Sequence, residues 1–480
     1  MNQQAFNPNI NPNNIPNNNQ IINPNPNFNG DINPNMYPNP NASQAVGNPQ
    51  SRQHYLDTAR DIGALLASKA LWDDDGDSGR PARCNWLGAA IEPVEGQYQV
   101  VTRTFAGDMY NGTSGIAYFL AQLYPLVQEE TIAVTLEGAV NQFLSLYDEG
   151  QMPLNFSFYA GKVGLAYTLV IAGQSLQKEE WFKKALEILK SLQKEELTDM
   201  EIDVISGAAG SIPALLKLHA FFPKEEFIKE LAVKCGDFLL EKAVHSEQGA
   251  SWNVMPGKHN LTGYSHGAAG AASALMELAA NTQDSKYMEV AVKGFDYEQH
   301  FFDQQQQNWY DLRDDSFNQQ SSSYVCGMAW CHGAPGIALS RLKAYRLSRM
   351  EGYLKEAMTA LQTTQQSIAQ AVNTGMNSGV STVAGENFSL CHGLSGNADV
   401  LIAGAAELNR PDLLQWAEAL GNYGIQKYGK YNVPWPSGVN DLTGKENNQE
   451  TPGLLLGLAG TGYFYLRLFQ PQAAENILGL

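Results

Sequence analysis

The sequence predicts an all-α protein in which seven helical hairpins close into an α/α toroid with an inner and an outer layer of helices. Two observations favour this fold. A Gly-x-x-Gly step recurs along the chain, and a short apolar run follows each step. The first glycines of the steps are Gly112, Gly161, Gly207, Gly267, Gly333, Gly393 and Gly457, at intervals of 46 to 66 residues. An open solenoid of the same hairpins is the alternative.

The apolar runs predict the inner helices. In chain order they read "IAYFLAQLYPLV", "LAYTLVIAG", "SIPALLKLHAFF", "AASALMELAA", "IALSRLKAYRL", "NADVLIAGAAEL" and "TGYFYLRLF". Because these runs are apolar on most faces, the helices should be buried, and the glycines should let their starting turns approach closely.

Amphipathic segments between the steps predict the outer helices. Examples are "EEWFKKALEILKSLQ", "KEEFIKELAVKCGDFLLEKAV" and "PDLLQWAEALGNYGIQKYG". Each carries charged residues along one side of a helical repeat, as expected for a helix with one face in solvent.

The first 50 residues differ from the rest, with 18 Asn and 9 Pro. Proline at this density prevents both helices and central strands, so residues 1–50 are expected to be a disordered Asn/Pro-rich tail. The toroid is then expected to occupy residues 51–480.

The amino-acid composition restricts the classes of binding partner and the cellular compartments that are expected for this protein. The chain has 31 Lys and Arg residues but 49 Asp and Glu residues, which gives a net charge of −18. This negative charge argues against nucleic acid as a partner. Five cysteines are too few for a disulfide framework and favour a reducing compartment. The sequence has neither a signal-peptide core nor an apolar run long enough for a membrane span, so a cytoplasmic location is expected.

Equivalent positions of neighbouring repeats should lie close together at one end of a toroid, so the residues before each step are informative. The position before the first glycine reads Asn111, Ala160, Ser206, His266, His332, His392 and Leu456. The position before that reads Tyr110, Tyr159, Ile205, Ser265, Cys331, Cys391 and Leu455. Three histidines and two cysteines are therefore expected at one structural level, in three consecutive repeats.

Two thiolates and one imidazole, from Cys331, Cys391 and His392, form a ligand set suited to a zinc ion that keeps its fourth position open for chemistry. The alternative is that both cysteines are small buried apolar residues, because free cysteine is among the most buried residue types.

Four segments resemble the lanthionine synthetase C-like family: "DVISGAAG" at 203–210, "YSHGAAG" at 264–270, "AWCHGAPGIALSRL" at 329–342 and "LCHGLSGN" at 390–397. The likeness covers roughly residues 100–470. The segment "WCHGAPGI" is most similar to the cyclase domains of bifunctional lanthipeptide synthetases and to eukaryotic members of the family. The resemblance implies one zinc ion held by Cys331, Cys391 and His392, with His266 and Asp203 as catalytic residues. The arginine that some free-standing members carry just before the Trp-Cys step is missing, since Cys326–Ala329 stand there.

The implied reaction is a zinc-dependent Michael-type addition. Zinc coordination deprotonates a thiol, so a peptide cysteine can add to dehydroalanine or dehydrobutyrine and close a (methyl)lanthionine thioether ring. His266 is the expected general acid, and Asp203 is expected to orient the imidazole, to stabilise its charged form or to help deprotonate the incoming thiol. The alternatives are a structural histidine at a helix start for His266 and a helix cap for Asp203. The expected partners are a dehydrated, Cys-containing precursor peptide and a separate dehydratase, because no dehydratase segment precedes the toroid.

Two other functions remain open from sequence alone. One is the addition of glutathione to dehydroamino acids in proteins. The other is a zinc-stabilised, non-catalytic scaffold that binds peptides.

Overall fold

A computed structural model describes residues 52–73, 81–94, 97–152, 156–197, 200–313, 325–377, 387–430, 433–439, 450–472 and 474–480. The predicted tail, residues 1–50, lies outside the described residues, so the expected domain boundary near residue 51 stays a prediction.

Fourteen α-helices occupy the described ranges, as the repeat pattern predicts. They are α1 Gln53–Ser68, α2 Thr113–Val127, α3 Glu130–Asp148, α4 Lys162–Leu176, α5 Glu179–Leu192, α6 Ala208–Phe221, α7 Phe227–Lys242, α8 Ala268–Thr282, α9 Ser285–His300, α10 Ala334–Ser348, α11 Glu351–Asn377, α12 Leu394–Leu408, α13 Pro411–Gly424 and α14 Leu458–Phe469. A π-helical turn, Ile425–Gly429, continues α13, and a short 3₁₀ turn, Ile477–Gly479, lies near the end of the chain.

The helices form a closed double ring. The even-numbered helices α2, α4, α6, α8, α10, α12 and α14 each pack against the next, and α14 packs back against α2. Each inner helix pairs with the outer helix that follows it, except that α14 pairs with α1 from the other end of the described chain. The predicted all-α toroid of seven hairpins is therefore confirmed, with its seventh hairpin built from the first and last helices.

The glycine steps fix where each inner helix begins. The first glycine of every step is the residue immediately before the inner helix. A Cβ atom on the second glycine would lie 1.8 to 2.2 Å from the carbonyl oxygen six residues earlier in all seven repeats. The chain thus folds back onto its own helix start, which only glycine allows.

Within the described ranges, four antiparallel hairpins, which the helix pattern did not predict, lie in the connections between helices. They pair β1 Leu71–Asp73 with β2 Arg83–Asn85, β3 Leu87–Val94 with β4 Gln97–Thr104, β5 Ala243–Ser246 with β6 Gly249–Trp252, and β7 Phe302–Asp303 with β8 Asn308–Trp309. The longest, β3 with β4, sets Leu87 opposite Thr104.

The last described residues lie inside the ring. The Tyr159 hydroxyl donates to the Ile477 carbonyl at 2.8 Å, and Trp330 Nε1–H donates to the Leu478 carbonyl at 2.9 Å. Ile477 and Leu478 are fully buried. The core therefore continues from the helix layers to the last described residues, one of which accepts a hydrogen bond from Trp330, the neighbour of Cys331 in the chain.

Among the helices of the described ranges, none combines the length and the apolarity required to cross a lipid bilayer.

Candidate metal centre

A belt of main-chain hydrogen bonds joins the turns that precede the inner helices. Each bond links neighbouring repeats, with N···O distances of 2.8 to 3.3 Å. The amides donate from Tyr110 to Tyr159, Leu455 to Tyr110, Cys391 to Leu455, Cys331 to Cys391, Ser265 to Cys331, and Val204 to Ser265. The belt gives the physical reason why residues of equal phase in the sequence meet at one end of the ring.

Two thiols and one imidazole meet on this belt. The ligand atoms of Cys331, Cys391 and His392 all lie within 4.8 Å of one another, and both cysteines are buried. Sulfur and imidazole nitrogen at this separation can converge on a single zinc ion after small side-chain movements. The structure thus brings the three predicted ligands together, and their role as ligands stays a prediction.

The His392 ring is oriented for ligation. Its Nε2 lies 2.7 Å from the carbonyl oxygen of Gly438, and since a carbonyl only accepts, Nε2–H is the donor. The lone pair is then on Nδ1, the arrangement usual for a ligating histidine. A Cβ atom at Gly438 would lie 2.9 Å from His392 Nε2, so a side chain there would displace the ring. Burial lowers the pKa of His392 and keeps it neutral.

The two thiols share a hydrogen bond, which separates their acidities. The Cys391 thiol donates to Cys331 and lowers the pKa of Cys331, and the nearby Arg313 charge acts in the same direction against burial. The same bond, with burial, raises the pKa of Cys391 well above its ordinary value. The pair therefore gives up its first proton readily, as a metal site requires.

His266 and Asp203, the two predicted catalytic residues, are in contact. His266 Nδ1 lies 2.5 Å from Asp203 Oδ2. Asp203 is buried, whereas the His266 side chain is 31% exposed. The contact occupies Nδ1 and leaves Nε2 as the nitrogen available for proton transfer. The catalytic role of both residues stays a prediction.

His332 lies between this pair and the thiols. Its ring stacks on His266 with 5.7 Å between centroids, and its side chain is buried next to Cys331. Burial, together with the positive charge of Arg313, lowers the pKa of His332 to about 3, so the ring is neutral. The adjacent Trp330 is fully buried and packs in the core, as a lone Trp usually does.

Two residues at the site were missed by sequence reasoning. Arg313, in the loop after β8, is held by Asp311 through bonds of 2.9 and 2.7 Å and brings a positive charge near the thiols. No sequence pattern pointed to it, because it lies outside the repeats. Tyr110 donates from its hydroxyl to Cys391 Sγ at 3.0 Å. The repeat pattern could have identified Tyr110, because it occupies in the first repeat the position that Cys331 and Cys391 occupy in later repeats.

Comparison with known proteins assigns the family. The model of the lanthionine synthetase C-like protein family matches residues 105–478. The chain belongs to this family. The resemblance seen in the four glycine-step segments is thereby confirmed.

This chain aligns with two curated relatives and covers a different share of each one's length. The lacticin 481/lactococcin biosynthesis protein LcnDR2 of Lactococcus lactis subsp. lactis is 24% identical over 437 residues, which is 89% of this chain and 42% of the relative. The glutathione S-transferase LANCL1 of Danio rerio is 21% identical over 385 residues, which is 76% of this chain and 83% of the relative. The chain thus spans less than half of the first relative.

Among solved structures, nisin cyclase superposes with a TM-score of 0.55 at 17% identity, covering 77% of this chain and 89% of that protein. The likeness supports the toroid fold.

Proposed function

We propose that this protein is a zinc-dependent lanthipeptide cyclase, which adds peptide cysteine thiolates to dehydroalanine or dehydrobutyrine and forms (methyl)lanthionine rings. The observation that carries the proposal is the convergence of Cys331, Cys391 and His392 within 4.8 Å, beside the contact between His266 and Asp203. The names of the relatives, a lacticin 481/lactococcin biosynthesis protein and nisin cyclase, support the same reaction class.

The three side chains fit a zinc ion. Two sulfurs and one imidazole nitrogen match the donor set of catalytic zinc sites with an open fourth position. Three features suit a metal ion bound by these side chains. His392 has its lone pair on Nδ1, the pKa of Cys331 is lowered, and Gly438 has no side chain that would displace the His392 ring. Zinc held there would lower the pKa of an incoming substrate thiol and so supply a nucleophile at neutral pH.

The remaining chemistry falls to residues of the chain. When the thiolate sulfur bonds to the β-carbon of the dehydroamino acid, the double-bond electrons move toward the α-carbon and its carbonyl. The resulting enolate needs a proton at the α-carbon. His266 in its protonated form delivers it from Nε2, because Nδ1 is engaged with Asp203, and the ring then takes up from solvent the equivalent of the proton that the substrate thiol lost.

Asp203 supports this proton transfer. Its carboxylate fixes the orientation of the imidazole and stabilises the protonated ring. Since Asp203 is buried and His266 is partly exposed, the imidazole is the member of the pair that a substrate can reach. Neutral His332, which stacks on His266, adds no competing positive charge.

The expected partners are a Cys-containing precursor peptide and a separate dehydratase that dehydrates this peptide before ring closure. The expected location is the cytoplasm. All five cysteines of the chain are free thiols, which a reducing compartment preserves.

A peptide with one dehydroalanine and one cysteine provides the functional test. Ring closure leaves the mass unchanged and removes one free thiol, so thiol alkylation followed by mass spectrometry reports it. We expect the purified protein with zinc to accelerate closure, and the Cys391→Ala variant to be inactive.

A variant of this assay distinguishes peptide cyclisation from the alternative hypothesis, the addition of glutathione to dehydroamino acids. A peptide with dehydroalanine but no cysteine is incubated with glutathione, and the glutathione adduct is measured. An adduct formed faster than ring closure would contradict the cyclase and favour glutathione transfer. If the folded, zinc-loaded protein forms neither product, the result would favour the hypothesis of a non-catalytic, peptide-binding scaffold.

A further inference from the structure

We propose that Tyr110 is a positioning residue of the metal centre, whose hydroxyl holds the Cys391 sulfur and adjusts the electron density that this sulfur donates to a bound metal. The inference rests on the proposed zinc site formed by Cys331, Cys391 and His392. It deepens that proposal by assigning a role to a residue outside the ligand set.

The contact is direct. The Tyr110 oxygen lies 3.0 Å from Cys391 Sγ, and the ring is partly buried at the end of the toroid. A phenol with an ordinary pKa of about 10 is protonated at neutral pH, and a thiolate sulfur only accepts. Tyr110 is therefore the donor once Cys391 has lost its proton.

The backbone keeps this contact in place. The Tyr110 amide donates to Tyr159 at 2.8 Å, and its carbonyl accepts from Leu455 at 2.8 Å. The Leu455 carbonyl in turn accepts from the Cys391 amide at 2.9 Å. Since the main chains of Tyr110 and Cys391 bond to the same residue, the distance between their side chains is set by the belt.

A hydrogen bond to a ligand sulfur has two physical effects. It stabilises the thiolate and fixes the direction of its lone pairs, which favours metal binding. It also lowers the energy of the sulfur electrons, so that less charge passes to the metal. Removing such an outer partner typically weakens metal affinity about 10- to 100-fold.

The chain offers a matched control in Tyr159. It occupies the same position in the next repeat, and its hydroxyl donates to the Ile477 carbonyl at 2.8 Å. Tyr110→Phe and Tyr159→Phe therefore remove the same atom from the same turn, but only the first removes a donor to sulfur.

The test measures zinc affinity by competition with a chromogenic chelator, and the sulfur-to-metal charge-transfer band of the cobalt(II)-substituted protein. For Tyr110→Phe we expect zinc affinity to fall at least about tenfold and the band to move to longer wavelength. For Tyr159→Phe we expect both to match the wild type. Equal values for the wild type and Tyr110→Phe, or equal changes in the two variants, would overturn the inference.

A second substitution keeps the test decisive if Tyr110→Phe folds poorly. Fluorotyrosine at position 110 is a stronger hydrogen-bond donor of nearly the same shape, and should move the band to shorter wavelength. An unmoved band counts against Tyr110. Wild-type protein whose cobalt spectrum lacks any thiolate band would instead overturn the zinc site itself, which distinguishes the failure of the proposed function from the failure of this inference.

Discussion

At the scale of single residues, Asp203 shows how one side chain serves both structure and the candidate site. From sequence it was either a cap or a partner for His266, and the geometry contains both contacts. Oδ1 accepts the Ser206 amide at 2.7 Å and stabilises the turn before α6, while Oδ2 contacts His266. Asp108 makes the equivalent bond to the Asn111 amide at 2.9 Å in the first repeat, where Asn111 stands in the position of His266.

Comparing substitutions in the Asp203 turn and the Asp108 turn separates the structural role of Asp203 from its role toward His266. Asp203→Asn keeps an oxygen for the turn but removes the charge that stabilises protonated His266. A hydrogen bond to a charged group contributes about 1.5–3 kcal/mol, so kcat for ring closure should fall about 10- to 100-fold. The melting temperature should stay near that of the wild type, because the turn bond survives.

Asp108→Asn is the control, with kcat expected to remain at the wild-type value. An equal loss of kcat in both variants would show that the turns matter only for folding and would remove Asp203 from the proton-transfer step.

At the scale of secondary-structure elements, Glu298 connects the outer helix α9 to the start of its inner partner α8. Its Oε1 accepts the amides of Gly263 at 3.0 Å and Ala269 at 2.8 Å, and the side chain is fully buried. Burial raises the pKa of Glu298 to about 8, against the opposing effects of the Arg341 charge and the two amides. The helix start is therefore held by a carboxylic acid that is neutral below that pH.

The raised pKa predicts that stability falls as the pH rises from about 4 to about 8. Glu298 is protonated in both states below its unfolded pKa of about 4.3, and there its contribution is fully present. As pH rises toward about 8, the unfolded state ionises while the folded state does not, and stability falls by roughly 1.4 kcal/mol per pH unit.

Glu298→Gln removes this dependence. The variant should match the wild type in free energy of unfolding near the acid limit and become progressively more stable than it up to about pH 8, as measured by urea denaturation across pH. A stability difference that does not change with pH would contradict a raised pKa.

The elements also show what sequence could and could not predict. The seven inner helices were predictable because the glycine steps encode both their first residues and the close turn before them. The meeting of Cys331, Cys391 and His392 followed from phase alone. The pairing of α1 with α14 was missed because α1 precedes the first glycine step, so the repeat pattern assigned it no inner helix. Arg313 was missed because it reaches the site from a connection between repeats.

At the scale of the whole molecule, the closure of the ring depends on α1. Tyr55, Leu56, Ile62 and Leu66 are buried in its interface, and Arg52 forms an ion pair with Glu418 of α13 at 2.9 Å. Burying each large apolar side chain contributes about 1.5–3 kcal/mol, so the helix supplies an amount comparable to the whole stability of a typical domain. The two ends of the described chain are thus one structural unit.

Two truncations test this closure and the predicted boundary near residue 51. A chain that begins at residue 52 should keep the melting temperature and the helical circular dichroism of the full protein. A chain that begins at residue 70, without α1, should expose α14 and lose cooperative unfolding. Cooperative melting of the shorter chain at the original temperature would show that the ring does not need its seventh outer helix.

The central claim, that Cys331, Cys391 and His392 hold one zinc ion, is tested most directly by metal analysis. Inductively coupled plasma mass spectrometry is applied to the purified wild type and to Cys331→Ala, Cys391→Ala and His392→Ala. Cys235→Ala serves as the control, since Cys235 is buried in α7 away from the cluster. We expect about one zinc per chain in the wild type and the control, and loss of zinc in the three cluster variants. Zinc absent from folded wild type, or retained in all three cluster variants, would contradict the account and leave the paired cysteines as packing residues at the end of a helical ring.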